Sequence, residues 1–274
     1  MSKRLRRSRE KVHALGRFQA LAIAAALIVV FAAGCNTNGS ESAGSDQSQS
    51  GAGSGSQRDL PQGAETVDLD PKNFSTRIDN PYWPMDPGTR WTYSETDQEG
   101  SKLEVVVTVS DQTKKIANGV TARVVRDTVT EDGAIVEDTF DWYAQDKEGN
   151  IWYLGENTAE FENGKLKTKE GSWEAGKHGA KPGIIMPANP KVGHTYRQEY
   201  RKGVAEDMAR PVMLGGSASV PYGSFHHVLV TDEWTPLEKN VAEQKYYAGG
   251  VGTVLEEATK GPKERLELVN VKHG

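Results

Sequence analysis

The sequence predicts an all-β domain, either a single strongly curved antiparallel sheet or an open barrel or sandwich, with a long capping loop. Three observations carry this. Short runs rich in Val, Thr and Tyr recur about every 8 to 12 residues. Asn-Gly and Asp-Gly pairs such as Asn118-Gly119 and Asp132-Gly133 separate them, and these favour tight hairpins. No 15-residue stretch after the N-terminal leader carries a convincing helical period, which argues for antiparallel strands and against a parallel α/β sheet.

Taken in order, the chain opens with seven basic residues, Lys3 to Arg17, followed by an apolar run from Ala20 to Ala33. This is the layout of a secretory signal peptide, and the run is shorter than the roughly 20 residues a membrane span needs. It ends in Ala32-Ala33-Gly34-Cys35, and Cys35 is the only cysteine of the 274 residues. The motif resembles a bacterial lipobox, with Ala32 where Leu is commoner. That resemblance implies cleavage before Cys35, diacylglyceryl attachment to its sulfur, and an extracytoplasmic protein anchored to the cell membrane. Residues 1–34 are then the signal peptide. The whole chain has 33 basic and 38 acidic residues, and removal of the leader leaves 26 and 37, a net charge of −11. Such a surface disfavours nucleic acid, whose phosphates are bound by clustered Lys and Arg. Without a second cysteine the fold rests on its packed core.

Residues 35–66 are dominated by Ser, Gly, Gln and Ala and read as a flexible tether. The all-β domain is expected over 67–274. Its opening, Asn80-Pro81-Tyr82-Trp83-Pro84-Met85-Asp86-Pro87-Gly88, is too proline-rich for a helix or central strand. Tyr82, Trp83, Trp91 and Tyr93 are read as an aromatic plug for one end of the core.

Strands follow at Leu103 to Val109, Val120 to Val129, Ile135 to Tyr143 and Ile151 to Leu154. Later ones are expected at Thr195 to Arg201, Ala205 to Leu214, Ser224 to Thr231, Val241 to Ala248, Val251 to Ala258 and Arg265 to Val271. The stretch Gly171 to Gly193, with three prolines and five glycines, is the long loop. Its run Ile184-Ile185-Met186, flanked by Pro182 and Pro187, is expected to fold over the core as a plug or lid instead of forming a central strand.

Chemistry-bearing motifs are sparse. Asp146 to Asn150 lacks the ligand order of a calcium loop and reads as a hairpin turn. His226 and His227, adjacent in a strand, should point to opposite faces, so no metal is expected. There is no Gly-x-Ser-x-Gly elbow, and Gly249-Gly250-Val251-Gly252 reads as a turn between strands. The pairs Glu137-Asp138 and Glu256-Glu257 should straddle their strands as solvated edges. No cofactor and no catalytic residue are assigned, and an enzyme, as a hydrolase, ranks third.

Three segments form a further resemblance: Trp83 to Tyr93 (WPMDPGTRWTY), Val220 to Phe225 (VPYGSF) and Tyr246 to Val254 (YYAGGVGTV). In that order they resemble marks of uncharacterised bacterial secreted proteins and lipoproteins. These are similar to the envelope lipoprotein carriers, in which a curved antiparallel sheet wraps an apolar hollow. The resemblance implies a non-enzymatic protein that binds an apolar or amphipathic envelope ligand, such as lipid. Trp142, Trp152, Trp173, Ile184, Ile185 and Met186 are the candidates to line or cover the hollow. The alternative is a protein-interaction module docking an envelope partner through an edge strand or the long loop. A large apolar cavity favours the first, and a filled core with exposed apolar residues favours the second.

Overall fold

A computed structural model describes residues 60 to 274. A single 3₁₀ turn, Pro71–Asn73, is capped by the Asp70 carboxylate, which accepts from the Lys72 amide at 3.0 Å. Everything else regular among the described residues is strand. β1 (Phe74–Ser75) precedes a meander of β2 (Arg90–Thr96), β3 (Lys102–Lys115), β4 (Thr121–Glu131), β5 (Ala134–Asp146) and β6 (Ile151–Glu162). Short pieces follow: β7 (Lys165–Thr168), β8 (Trp173–Glu174), β9 (Lys181–Met186), β10 (Tyr196–Arg197) and β11 (Glu199–Tyr200). A second meander comprises β12 (Met208–Val220), β13 (Gly223–Trp234), β14 (Ala242–Ala248), β15 (Gly252–Lys260) and β16 (Arg265–Lys272).

The pairing order is β10-β12-β13-β14-β15-β16-β2-β3-β4-β5-β6-β9-β11. β16 pairs with β2 and so joins the two meanders. The ends of the path, β10 and β11, are separated in sequence only by Gln198. The stretch Tyr196–Tyr200 therefore pairs with β12 on one side and β9 on the other, closing the sheet into a barrel. The predicted fold class is the observed one.

Hairpin chemistry explains the regularity. Asp132 and Gly133 both have positive φ, as do Asn163 and Gly164, which a two-residue turn matched to strand twist requires. The Asp146–Asn150 segment is the β5–β6 turn, with Asp146 accepting from the Asn150 backbone amide at 2.9 Å.

Directly opposed residues in these ladders share a face. Alignment of Trp91 and Tyr93 with Val107 and Val105, and of those with Asp127 and Val129, sets the inner face of β2 to β4. The outer face carries ion pairs such as Arg126–Asp138 (2.7 Å) and Arg210–Asp232 (2.8 Å), so it faces water and not lipid. Among the described residues no helix is long and apolar enough to cross a membrane.

Trp83, Trp91 and Tyr93 are buried in the core as expected, and Tyr82 is half-buried beside them. Trp91 donates its indole N–H to the Val251 carbonyl at 2.7 Å, and Trp83 lies against Tyr143 and Tyr247 with centroids 5.7 and 6.1 Å apart. Two expectations are corrected. Ile184, Ile185 and Met186 are neither loop nor lid: they are part of β9, a stave of the wall paired with β6. The prolines allow this because Pro182 stands at the second residue of the strand and Pro187 just beyond its end. His226 and His227 are both exposed, because His227 has φ +58 and breaks the alternation.

Candidate functional site

The barrel interior is packed with aromatic and acidic side chains. An aromatic row runs Tyr247, Trp83, Tyr143, Tyr153, Trp173. Within it Tyr143 stacks on Tyr153 at 4.9 Å, and Trp173 meets Tyr153 edge-on at 5.3 Å. Beside it the strands turn carboxyls inward. Asp127 on β4 opposes Thr139 on β5, and Asp141 on β5 opposes Glu156 on β6. Glu233, Glu243 and Glu256 come from β13, β14 and β15, Glu199 lies in the closing stretch and Asp207 just after it. All eight are buried.

The half of the interior built by β13 to β15 is electrically organised. Lys245, itself buried, places its ammonium 3.3 Å from Glu243, 3.4 Å from Glu233 and 3.8 Å from Glu256. Glu233 also accepts from Gln198 Nε2 (3.0 Å), the Thr231 hydroxyl (2.8 Å) and the Tyr247 hydroxyl (3.1 Å). Burial alone would lower the Lys245 pKa, but Glu233, Glu256 and Glu243 outweigh it and hold the pKa well above the usual lysine value. Burial pushes Glu256 up to about 8, against the pull of Lys245.

The half built by β4 to β6 has no such cation. Asp141 accepts from the Tyr153 hydroxyl at 2.6 Å, yet burial still lifts it to about 7. Neither oxygen of Asp127 has a hydrogen-bond partner within the protein, whereas Glu156 has the Tyr153 hydroxyl beside it and Glu199 has Asp207 and the Trp173 indole N–H beside it. Burial first, and then neighbouring carboxyls, drive all three well above the ordinary carboxylate range. Asp207, beside Glu199, is lifted by burial to about 7, with hydrogen bonds to Glu199 and Thr235 opposing the rise. In this half of the barrel burial therefore favours the neutral, protonated form of the carboxyls.

The predicted lining residues separate across the wall. Trp173 belongs to the inner aromatic row. Trp142 is on the face opposite Tyr143, beneath the Lys114 ammonium at 4.1 Å. Trp152 is on the face opposite Tyr153, donates to Asp146 Oδ2 at 2.7 Å and meets Phe74 edge-on. Ile184 opposes Trp152 and shares that outer side; Met186 opposes Ile151, and Ile185 lies between them, all buried. Cys35 lies outside the described residues. Glu256 and Glu257 do straddle their strand, but only Glu257 is on a partly solvated face, pairing with Arg265 and Tyr246. Glu256 is an interior residue and not a solvated edge. Its signal was available: on β14, Glu243 and Lys245 alternate in step with Tyr247, placing charge on an aromatic, inward face.

Where the barrel closes, a crevice of about 440 Å³ opens to the outside, lined by Leu60, Gln62, Glu65, Pro187, His194 and Tyr196 among others. Tyr196 is fully buried and its hydroxyl has no protein partner. Arg197 ties this seam to the segment before the barrel. Its guanidinium donates to the carbonyls of Pro182 (2.7 Å), Gly63 (2.6 Å) and Glu65 (2.9 Å).

No protein-family model and no curated protein matches the chain. Solved structures similar to it include a candidate exported protein with a YmcC-like fold from Bacteroides fragilis NCTC 9343, at 16% identity and TM-score 0.40, covering 70% of this chain and 99% of the other. A candidate lipoprotein from Parabacteroides distasonis ATCC 8503 matches at 14% identity and TM-score 0.38, over 70% and 98% of the two chains. A β-barrel-like protein of the domain of unknown function DUF1849 from Brucella abortus matches at 12% identity and TM-score 0.32, over 67% and 96%.

Proposed function

We propose that this chain is an exported envelope protein, acylated at Cys35, whose barrel stands off the membrane on a tether and binds an amphipathic ligand without transforming it. The observation that carries the reading is the barrel interior: an aromatic row beside buried carboxyls, of which Asp127 has no hydrogen-bond partner in the protein. Burying such groups costs several kcal/mol each unless something satisfies them, and an apolar body with a polar head matches rings and carboxyls together. Binding is favoured over hydrolysis because His178, His194, His226, His227 and His273 are all exposed and stand apart from the buried carboxyls. No base and nucleophile meet there.

The test is native mass spectrometry of protein extracted gently from its own membrane. A co-purifying small amphiphile supports the reading, and protein at its bare acylated mass refutes it. Cys35→Ser should move the protein out of the membrane fraction or block its cleavage; unchanged retention with normal cleavage would refute the anchor.

A second reading, docking of a protein partner, rests on the β12–β13 hairpin. There Met213, Leu214 and Tyr222 are 50%, 46% and 42% exposed. It predicts that Leu214→Glu abolishes a specific co-purifying protein while leaving the bound small molecule in place.

A further inference from the structure

The outside of the barrel changes character where the sheet closes. Tyr196 pairs with Ala209, and the Gly193 amide donates to the Pro211 carbonyl at 2.9 Å, so the segment before Tyr196 runs along the base of β12. Val192, on that segment, is 55% exposed. The β12–β13 register shifts between Pro211 and Met213 and again between Met213 and Gly216, so Leu214 and Gly215 together stand against Leu229 alone. That bulge breaks the alternation and leaves Met213 and Leu214 both turned to solvent. Three apolar side chains from two elements thus form a rim beside the crevice, which Lys191, His194 and Pro211 help to line.

Two further observations indicate what meets this rim. The first is where the chain comes from. Leu60, the first described residue, lines the same crevice. Its segment is tied to the seam by Arg197 and by Gln62, whose side chain donates to the Thr195 carbonyl. Only residues 36–59, rich in Ser, Gly and Gln, separate Leu60 from Cys35. A linker of that length and composition spans about 25 to 30 Å on average, so an anchor at Cys35 holds this end of the barrel nearest the bilayer. The second observation is charge. Residues 187–198 and 208–231 contain no Asp or Glu, although the chain after the leader has a net charge of −11. Lys191 and His194 are exposed there, and the Glu65 carboxylate is engaged by the Gln62 amide at 2.7 Å. This is the face that anionic headgroups repel least.

Resting on the proposed anchor at Cys35, we infer that Val192, Met213 and Leu214 seat in the headgroup layer of the membrane that carries the chain, turning the mouth of the crevice toward the lipid. A lipid surface fits the rim better than a protein does. Three side chains fall far short of the roughly 1,000 Å² that a specific protein interface needs. A bilayer already brought close by the anchor needs only a small further gain to orient the barrel.

Cys35 is the only cysteine and acylation consumes it, so an introduced cysteine gives a unique labelling site. The acylated full chain carrying Val192→Cys, Leu214→Cys or Leu166→Cys is labelled with the fluorophore NBD. It is then reconstituted into vesicles of phosphatidylethanolamine and phosphatidylglycerol, with and without doxyl-labelled phosphatidylcholine as quencher. Leu166 is the reference: it is exposed and pairs with Phe161, at the opposite end of β6 from Ile151 and its partner Met186. Quenching should be several-fold stronger at 192 and 214 than at 166, and adding Met213→Glu/Leu214→Glu should reduce quenching at 192 to the level at 166. Equal quenching at all three sites, in protein that floats with the vesicles, would overturn the inference and leave the anchor standing. Protein that does not float with the vesicles would overturn both. An unquenched label at 214, together with a specific protein that co-purifies with the unaltered chain and is lost in Leu214→Glu, would overturn the inference in favour of a protein partner.

Discussion

Replacing Lys245 by Met keeps the length of the side chain and deletes the one ammonium among Glu233, Glu243 and Glu256. Breaking a buried ion pair by removing one partner costs about 3 to 5 kcal/mol, because a charge is left uncompensated. The fold can limit that loss by holding one further proton on the carboxyls. That proton costs about 1.4 kcal/mol for each pH unit above the unfolded carboxyl pKa, near 4.3 to 4.5. The deficit should therefore be about 1.5 kcal/mol at pH 5.5 and about 4 kcal/mol at pH 7.5. The sign follows from the raised pKa: folded Lys245→Met binds a proton that its unfolded chain does not, so its stability falls as pH rises. Urea unfolding of both proteins at pH 5.5, 6.5 and 7.5 measures the difference. A deficit that stays constant with pH, or a variant as stable as the parent at pH 7.5, would refute this account of the interior.

Three shorter predictions accompany it. Asp141 and Asp207, lifted by burial to about 7, and Glu256, to about 8, keep protons in the folded state that the unfolded chain releases near pH 4. Melting temperature should therefore fall as pH rises from about 4 to 8; a higher value at pH 8 than at pH 5 contradicts this. Ile184→Ala, at a fully buried stave position, should cost about 2 to 5 kcal/mol, whereas Leu166→Ala, at 55% exposure, should change stability by less than about 0.5 kcal/mol. Gly183→Ala would place a methyl 2.2 Å from the Gln198 carbonyl oxygen, so the seam must shift. It should lose about 1 to 3 kcal/mol and show faster amide exchange over Tyr196–Tyr200 than over β3.

The wall of the barrel was legible because it is written locally. Alternating Leu103, Val105, Val107 and Val109, and turns such as Asp132-Gly133, specify strand and hairpin from neighbours alone. What escaped depends on distant residues. Tyr196–Tyr200 reads as one ordinary strand, and nothing nearby shows that its two halves serve opposite edges of the sheet. The inward carboxyls escaped because a polar residue on an alternating strand is normally assigned to water. Glu256 next to Glu257 follows that pattern, and only the paired Lys245 on β14 shows otherwise. Pro182 and Pro187 read in sequence as barriers to a strand, whereas their positions at its second residue and just past its end make them its boundaries.

The pairing of β16 with β2 has a consequence in time. Among the described residues the last strand, Arg265–Lys272, is the neighbour of the first long one, Arg90–Thr96, through seven paired positions. A chain emerging from a ribosome or a membrane channel can form each meander as it appears. The circle stays open until residue 272 is free. Until then β2 and the unfinished second meander present bare edges, which makes the nascent protein adhesive in a way that its finished form is not. Such long-range joining is slow, in the millisecond-to-second range even for small β domains. The interval between the emergence of β16 and closure is therefore when the edges are most exposed, and variants that lack β16 should be lost to aggregation or proteolysis even though they keep the buried carboxyls.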